Sequence, residues 1–212
     1  MTLLARRKAV KTWESASAFS PASMRLQAKL ARLSRSWAAA VKQGKIGAIG
    51  VSNYSAAQMR EAHGLLAAVG VPLAFNQMPY SLLARQIEHN GVMATARNLG
   101  VKILAYSPLA QGLLSGKYKA VAPPKGGRQL NPQFGAEGLF RIEPVIQMLR
   151  EVGEQYDRTP SQVALNWAIA KGTVPIPGAK TPDQATENAG ALGWQLAAED
   201  VAALDRVTAD LS

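Results

Sequence analysis

Two glycine-bearing stretches of this 212-residue chain come near known chemistry and stop short of it. Gly50-Val51-Ser52-Asn53-Tyr54 approaches the Gly-x-Ser-x-Gly of a nucleophile elbow, where a sharp strand-to-helix turn exposes a serine hydroxyl. The second glycine is missing, and a serine–acid–histidine order fails late in the chain, since no histidine follows His89. Gly112-Leu113-Leu114-Ser115-Gly116-Lys117-Tyr118 approaches a phosphate-binding Walker loop. It is one spacer short and has Tyr where the magnesium-binding hydroxyl belongs. The dinucleotide pattern Gly-x-Gly-x-x-Gly is absent, since Gly44, Gly47 and Gly50 only recur every third residue. His63 and His89 have no carboxylate at ligand spacing and are read as solvated groups. With no cysteine in the chain, no metal site is expected and a reducing, cytoplasmic setting is.

Charge narrows the partners. The formal net charge is +10, but residues 1–36 hold eight basic side chains against Glu14 alone, which leaves only +3 for the rest. The body of the protein is nearly balanced, so nucleic acid is not the expected partner of the whole chain. Residues 1–20, rich in Arg and Ser and poor in acids, are read as a basic mobile arm, although organellar transit peptides share that composition. No run of eighteen apolar residues exists, so no membrane span is expected.

The elements that would carry site residues follow a rhythm. Ser20-Pro21 starts a helix, with Leu26, Leu30, Leu33, Trp37 and Val41 as its apolar stripe and Gly44 as its end. Ile46–Val51 is a short apolar run that reads as a buried strand. Ser55 with Gln58 forms a capping box for a helix closed by Gly70. A strand over Leu73–Gln77, a helix over 88–99 bounded by Gly100 and a strand over Val101–Tyr106 come next. A helix from Thr159-Pro160 to Lys171 has a capping box of its own, Thr159 with Gln162. A strand over Thr173–Ile176, a helix from Thr181-Pro182 and a helix over Ala198–Val207 complete the order. Strands alternating with helices predict parallel βαβ units with strands buried on both faces. The segment 110–138, with six glycines and three prolines, interrupts the rhythm and is expected to be a lid or an irregular loop.

Four motifs in this order resemble the aldo-keto reductase family over about residues 37–212. They are Gly44–Asn53 ending in Ser-Asn, Asn76-Gln77-x-x-Tyr80-Ser81-Leu82-Leu83, Ala105–Tyr118 containing Tyr106-Ser107-Pro108-Leu109, and Pro175-Ile176-Pro177-Gly178-Ala179-Lys180 with Gln184, Glu187 and Asn188. The resemblance implies an α/β fold, a partial (β/α)8 TIM barrel whose parallel strands five to eight and their helices occupy residues 21–212. It also implies NADP(H) as cofactor and hydride transfer to an aldehyde or ketone. Ser52, Asn53 and Gln77 would meet the carboxamide, and the ring of Tyr106 would stack on the nicotinamide. Ser107, Pro108, Leu109, Gln111, Gly112, Lys117 and Arg128 would surround the pyrophosphate. Gly178, Lys180, Gln184, Glu187 and Asn188 would hold the adenosine and its 2′-phosphate at a helix N-terminus.

The family's Asp, Tyr, Lys and His tetrad is expected upstream of Ser52, yet residues 1–51 contain neither Tyr nor His. No residue of this chain is assigned as the proton donor, so no catalytic residue is predicted. A second reading, a non-catalytic nicotinamide-nucleotide-binding or regulatory subunit, follows from the same gap. A half-barrel would leave two strand edges unpaired, so a homodimer or a partner chain completing the barrel is expected.

Overall fold

A computed structural model describes residues 36–121, 124 and 131–211. The predicted arm, the predicted helix N-terminal of Ser36 (Leu26, Leu30 and Leu33 among it) and Arg128 lie outside the described residues. Residues 36–42 are helical. The chain then runs through β1 (Ile49–Ser52), α1 (Ala56–Ala67), β2 (Leu73–Pro79), α2 (Gln86–His89), α3 (Val92–Leu99) and β3 (Lys102–Tyr106). Beyond these come α4 (Ala136–Tyr156), α5 (Pro160–Ala170), β4 (Val174–Ile176), α6 (Pro182–Ala189) and α7 (Ala198–Val207). Ala110–Ser115 holds two short 3-10 turns separated by a kink at Gln111-Gly112, and single 3-10 turns cover Pro132–Phe134 and Ala209–Leu211.

The described residues divide into two compact units, those up to 49 with 61–73, and 50–60 with those from 74 onward. The buried apolar residues of the first are Ala38, Ile49, Ala62, Leu66, Val71 and Leu73. The second holds most of the sheet, whose strand order is β1-β2-β3-β4. β3 pairs in parallel with both neighbours: Gln77 lies opposite Leu104 and Pro79 opposite Tyr106, while Leu104 and Tyr106 face Val174 and Ile176 across the other edge. Parallel pairing requires a crossover between strands, which α2 and α3 supply between β2 and β3, and α4 and α5 between β3 and β4. α4 packs on α5 and α7, and α5 packs on α6 and β4. Tyr80, Phe134, Leu139, Ile146, Leu149, Leu165 and Trp167 are among the fully buried side chains of this unit.

The predicted helix starts agree with observed caps. Ser55 and Gln58 exchange both bonds of a capping box, at 2.8 and 3.3 Å, as do Thr159 and Gln162. Thr181 accepts from the Gln184 N–H. Three expectations need correction. The predicted helix over 88–99 is two helices, broken at Asn90-Gly91, where Gly91 takes φ +82°. β4 is not buried on both faces: Val174 and Ile176 are 47% and 40% exposed, because β4 ends the strand order and has a single neighbour. The long helix α4 occupies a stretch to which the sequence reading gave no element. Its Pro144 sits on the exposed face, so the Phe140 carbonyl that loses its helical partner faces water.

Candidate functional site at the strand ends

Parallel strands carry their C-terminal ends to one side of a sheet, where side chains from distant sequence positions meet. Ser52 ends β1, and its hydroxyl donates to the Gln77 carbonyl at 3.3 Å. The Asn53 N–H donates to the same carbonyl at 2.9 Å. Asn53 itself is left-handed, with φ +59°, a conformation asparagine adopts at lower cost than most residues. The Tyr106 hydroxyl, at the end of β3, donates to Asn53 Oδ1 at 3.2 Å. One row of hydrogen bonds therefore joins the ends of β1, β2 and β3. Beneath it, the fully buried Asn76 accepts from the Tyr54 N–H and donates to the Tyr54 carbonyl, which fixes the β1–α1 turn.

The segment after β3 is strained. Ser107, Ala110 and Gln111 are left-handed at φ +54°, +47° and +58°. Such conformations cost about 1–3 kcal/mol each and gather at ligand sites. Gly112 follows at φ +95°, and a side chain there would start 3.4 Å from Lys117 Nζ. Ser115 Oγ donates to the Gly112 carbonyl at 2.7 Å, and Arg150 of α4 donates to the Gly116 carbonyl at 3.2 Å, so the loop is held from both sides. Pro108 is buried, while the Leu109 carbonyl accepts from the Gly112 and Leu114 N–H groups. A cleft of about 150 Å³ opens here. Tyr80, Ser81, Leu83 and Ala84 form one wall, and Tyr106, Ser107, Ala110 and Gln111 form the other.

The third predicted cluster is ordered by its own hydrogen bonds. Gln184 Oε1 accepts from the Lys180 N–H at 2.7 Å, and Asn188 Nδ2 donates to the Gly178 carbonyl at 3.4 Å. The Glu187 carboxylate accepts from the Thr159 hydroxyl, and its backbone carbonyl accepts from Gln162 Nε2 at 3.1 Å. Glu187 is thereby tied to the capping box of α5. Lys180 is exposed, and among the described residues no hydrogen bond or ion pair engages its ammonium.

The structure thus brings Ser52, Asn53, Gln77 and Tyr106 into one row, with Ser107 and Gln111 in the cleft beside Tyr106. It sets Gly178, Lys180, Gln184, Glu187 and Asn188 in a second group at the start of α6. The cleft wall of Tyr80, Ser81, Leu83 and Ala84 was not among the predicted site residues. Its place directly after a strand's C-terminal end was the available signal. Burial, and then the hydrogen bond that its hydroxyl donates to Glu88 Oε1 at 2.5 Å, push the Tyr80 phenol well above the usual range. Among the described residues no group of His, Asp and Glu is placed to hold a metal, and no helix is long and apolar enough to cross a membrane.

A sequence profile described as "Aldo/keto reductase family" matches residues 23–209. The chain belongs to the aldo/keto reductase family. It is similar to the chloroplastic pyridoxal reductase of Arabidopsis thaliana, 40% identical over 160 residues that cover 73% of this chain and 42% of that protein. It is 45% identical over 162 residues to an uncharacterized oxidoreductase of Mycobacterium bovis, covering 76% of this chain and 49% of the relative. The solved glycerol dehydrogenase of Gluconobacter oxydans superposes with a TM-score of 0.75 at 27% identity, over 85% of this chain and 54% of that one. This aldo/keto reductase chain therefore spans about half the length of the relatives it matches.

Proposed function

We propose that this chain is the nucleotide-binding part of an aldo/keto reductase, an NADP(H)-dependent oxidoreductase acting by hydride transfer on an aldehyde or ketone carbonyl. In this reading β1 to β4 are strands five to eight of a (β/α)8 barrel, residues 21–212 form that partial domain, and residues 1–20 are a basic arm outside it. The observation that carries the proposal is the hydrogen-bonded row of Ser52, Asn53, Gln77 and Tyr106 beside the strained Ser107–Gly112 loop. The unengaged polar groups of these residues suit a dinucleotide. Among the described residues no hydrogen bond engages the side chains of Gln77, Ser107, Gln111 or Lys180, so donors and acceptors remain for an amide and for phosphates.

Each residue then has a physical task. The Gln77 carboxamide and the Asn53 amide bond the nicotinamide carboxamide, with Ser52 holding the turn. Tyr106, fixed through its hydroxyl, offers its half-buried ring face for stacking. Ser107, Gln111 and Lys117 bond the pyrophosphate around Gly112, with Arg128 joining them from outside the described residues. Lys180 supplies the positive charge for a 2′-phosphate at the start of α6, whose N-terminal N–H groups favour an anion. The bound nicotinamide supplies the hydride. None of this chain's assigned residues supplies the proton. The exposed Val174 and Ile176 of β4 support contact with a partner chain.

The test is to mix the full chain with NADPH and a short aldehyde while recording cofactor fluorescence and absorbance. Saturable fluorescence with loss of NADPH absorbance supports the oxidoreductase. Saturable binding without turnover supports the regulatory reading. Absence of binding overturns both.

A further inference from the structure

One cluster of buried charge lies outside the strand-end row and has no task in the function proposed above. Arg85, 7% exposed, donates from Nε to Glu88 Oε1 at 3.1 Å and from Nη2 to Glu88 Oε2 at 2.8 Å. It also pairs with Asp205 Oδ1 at 3.1 Å, and from Nη1 it donates to the Asp205 carbonyl at 2.9 Å and to Thr208 Oγ1 at 3.0 Å. Lys171 completes the set, 2.8 Å from Asp205 Oδ2 and 3.6 Å from Glu88 Oε2. Two cations face two carboxylates, and the ring of Trp167 lies beside both cations at 5.5 and 5.6 Å. Tyr80 stacks on that same ring at 5.2 Å.

These residues join parts of the chain that are remote in sequence. Arg85 directly follows the Tyr80–Ala84 wall of the cleft, while Asp205 and Thr208 belong to the end of α7, some 120 positions away and not lining the cleft. The wall is tied to the sheet by one main-chain bond, Tyr80 N–H to the Tyr106 carbonyl at 3.3 Å; its other amide bonds are internal, between Ser81 and Ala84 and from the Leu83 N–H to Ser81 Oγ at 3.2 Å. A buried ion network adds little stability over well-packed apolar side chains, but a guanidinium with five directed donors fixes an orientation.

We propose that Arg85 is a positioning residue through which the C-terminal helix α7 sets the Tyr80–Ala84 wall of the strand-end cleft. Asp205 and Thr208 hold the far side of the guanidinium, Glu88 holds the near side, and the wall is suspended between Arg85 and the stacked Tyr80. Loosening the end of α7 therefore loosens a cleft wall that it does not touch. The consequence for cofactor affinity rests on the cleft being the nucleotide site; the positional link does not.

The experiment is hydrogen exchange of the full chain, read by peptide mass, in wild type, Asp205→Asn and Thr208→Val. Both changes are milder than removing Arg85 and leave the cleft residues intact. The link predicts that amides of 80–84 exchange about tenfold faster in both variants while those of 102–106 keep their protection. A role confined to helix stability would loosen 204–211 alone, and that result overturns the link. So does a uniform rise over the whole chain. In the same variants NADPH should bind about tenfold more weakly. A loosened wall with unchanged NADPH affinity, or a wild type that does not bind NADPH, would instead contradict the cleft as the nucleotide site and leave the link standing.

Discussion

Gly50 shows how closely one residue type is dictated by packing. A Cβ built there would lie 2.2 Å from the ring of Phe75, so β1 and β2 approach closely only because position 50 has no side chain. Gly50→Ala should cost about 1–3 kcal/mol by overpacking, read by urea unfolding, and Phe75→Leu in the same chain should recover part of it. Glu88 governs a different limb of stability. Burial opposes its charge, but hydrogen bonds from Arg85 and Tyr80 and the positive charge of Arg85 and Lys171 outweigh burial and hold its carboxyl below the usual range. A lowered carboxyl contributes stability that is complete above the unfolded value, about 4.3, and is lost as pH falls from there through the folded value. Glu88→Gln should remove that acid limb from a series of melting curves. Tyr80, raised, works in the other direction: its contribution is complete below about pH 10, the unfolded tyrosine value, and is lost above it. The residues of this network were not legible together in the sequence. Arg85 and Glu88 stand three apart and could be paired on that ground, but nothing local connects them to Asp205.

The elements were legible where their ends carry chemistry of their own. Ser55, Thr159 and Thr181 each accept a backbone N–H in the first turn, as the spacing of Ser or Thr with Gln three residues later predicts. Thr159→Ala should cost about 0.5–2 kcal/mol in thermal unfolding, and should also release Glu187 from the hydroxyl that now holds its carboxylate. α4 was missed for a physical reason. Pro144 inside it and Gly135 and Gly138 at its start are the usual marks of a broken helix, yet its apolar positions Leu139, Ile142, Val145, Ile146, Leu149 and Val152 keep the helical period and are buried. Burial of that stripe outweighs one lost main-chain bond on the solvent side. The break at Gly91 shows the reverse, since a left-handed glycine divides a segment that propensity alone reads as continuous.

At the scale of the molecule, four strand ends place the predicted site residues in two groups, and the order of the motifs is what made them readable. Their roles were carried by the family resemblance and not by spacing, because Gln77 and Tyr106 lie far apart in the chain and are joined only through Asn53, which bonds both. The excess positive charge lies in residues 1–36. The proposed function therefore gives a 2′-phosphate to Lys180 and not to bulk charge. Lys180→Ala should narrow the preference for NADPH over NADH by about tenfold, as judged from the two dissociation constants.

Calorimetric titration of NADPH into the full chain and into Tyr106→Ala tests the strand-end row most directly. Saturable binding to the wild type is expected, with a dissociation constant at least about tenfold larger for Tyr106→Ala and unchanged folding by circular dichroism. Equal affinity in the two proteins, or no binding to either, would contradict the strand-end row as the nucleotide site.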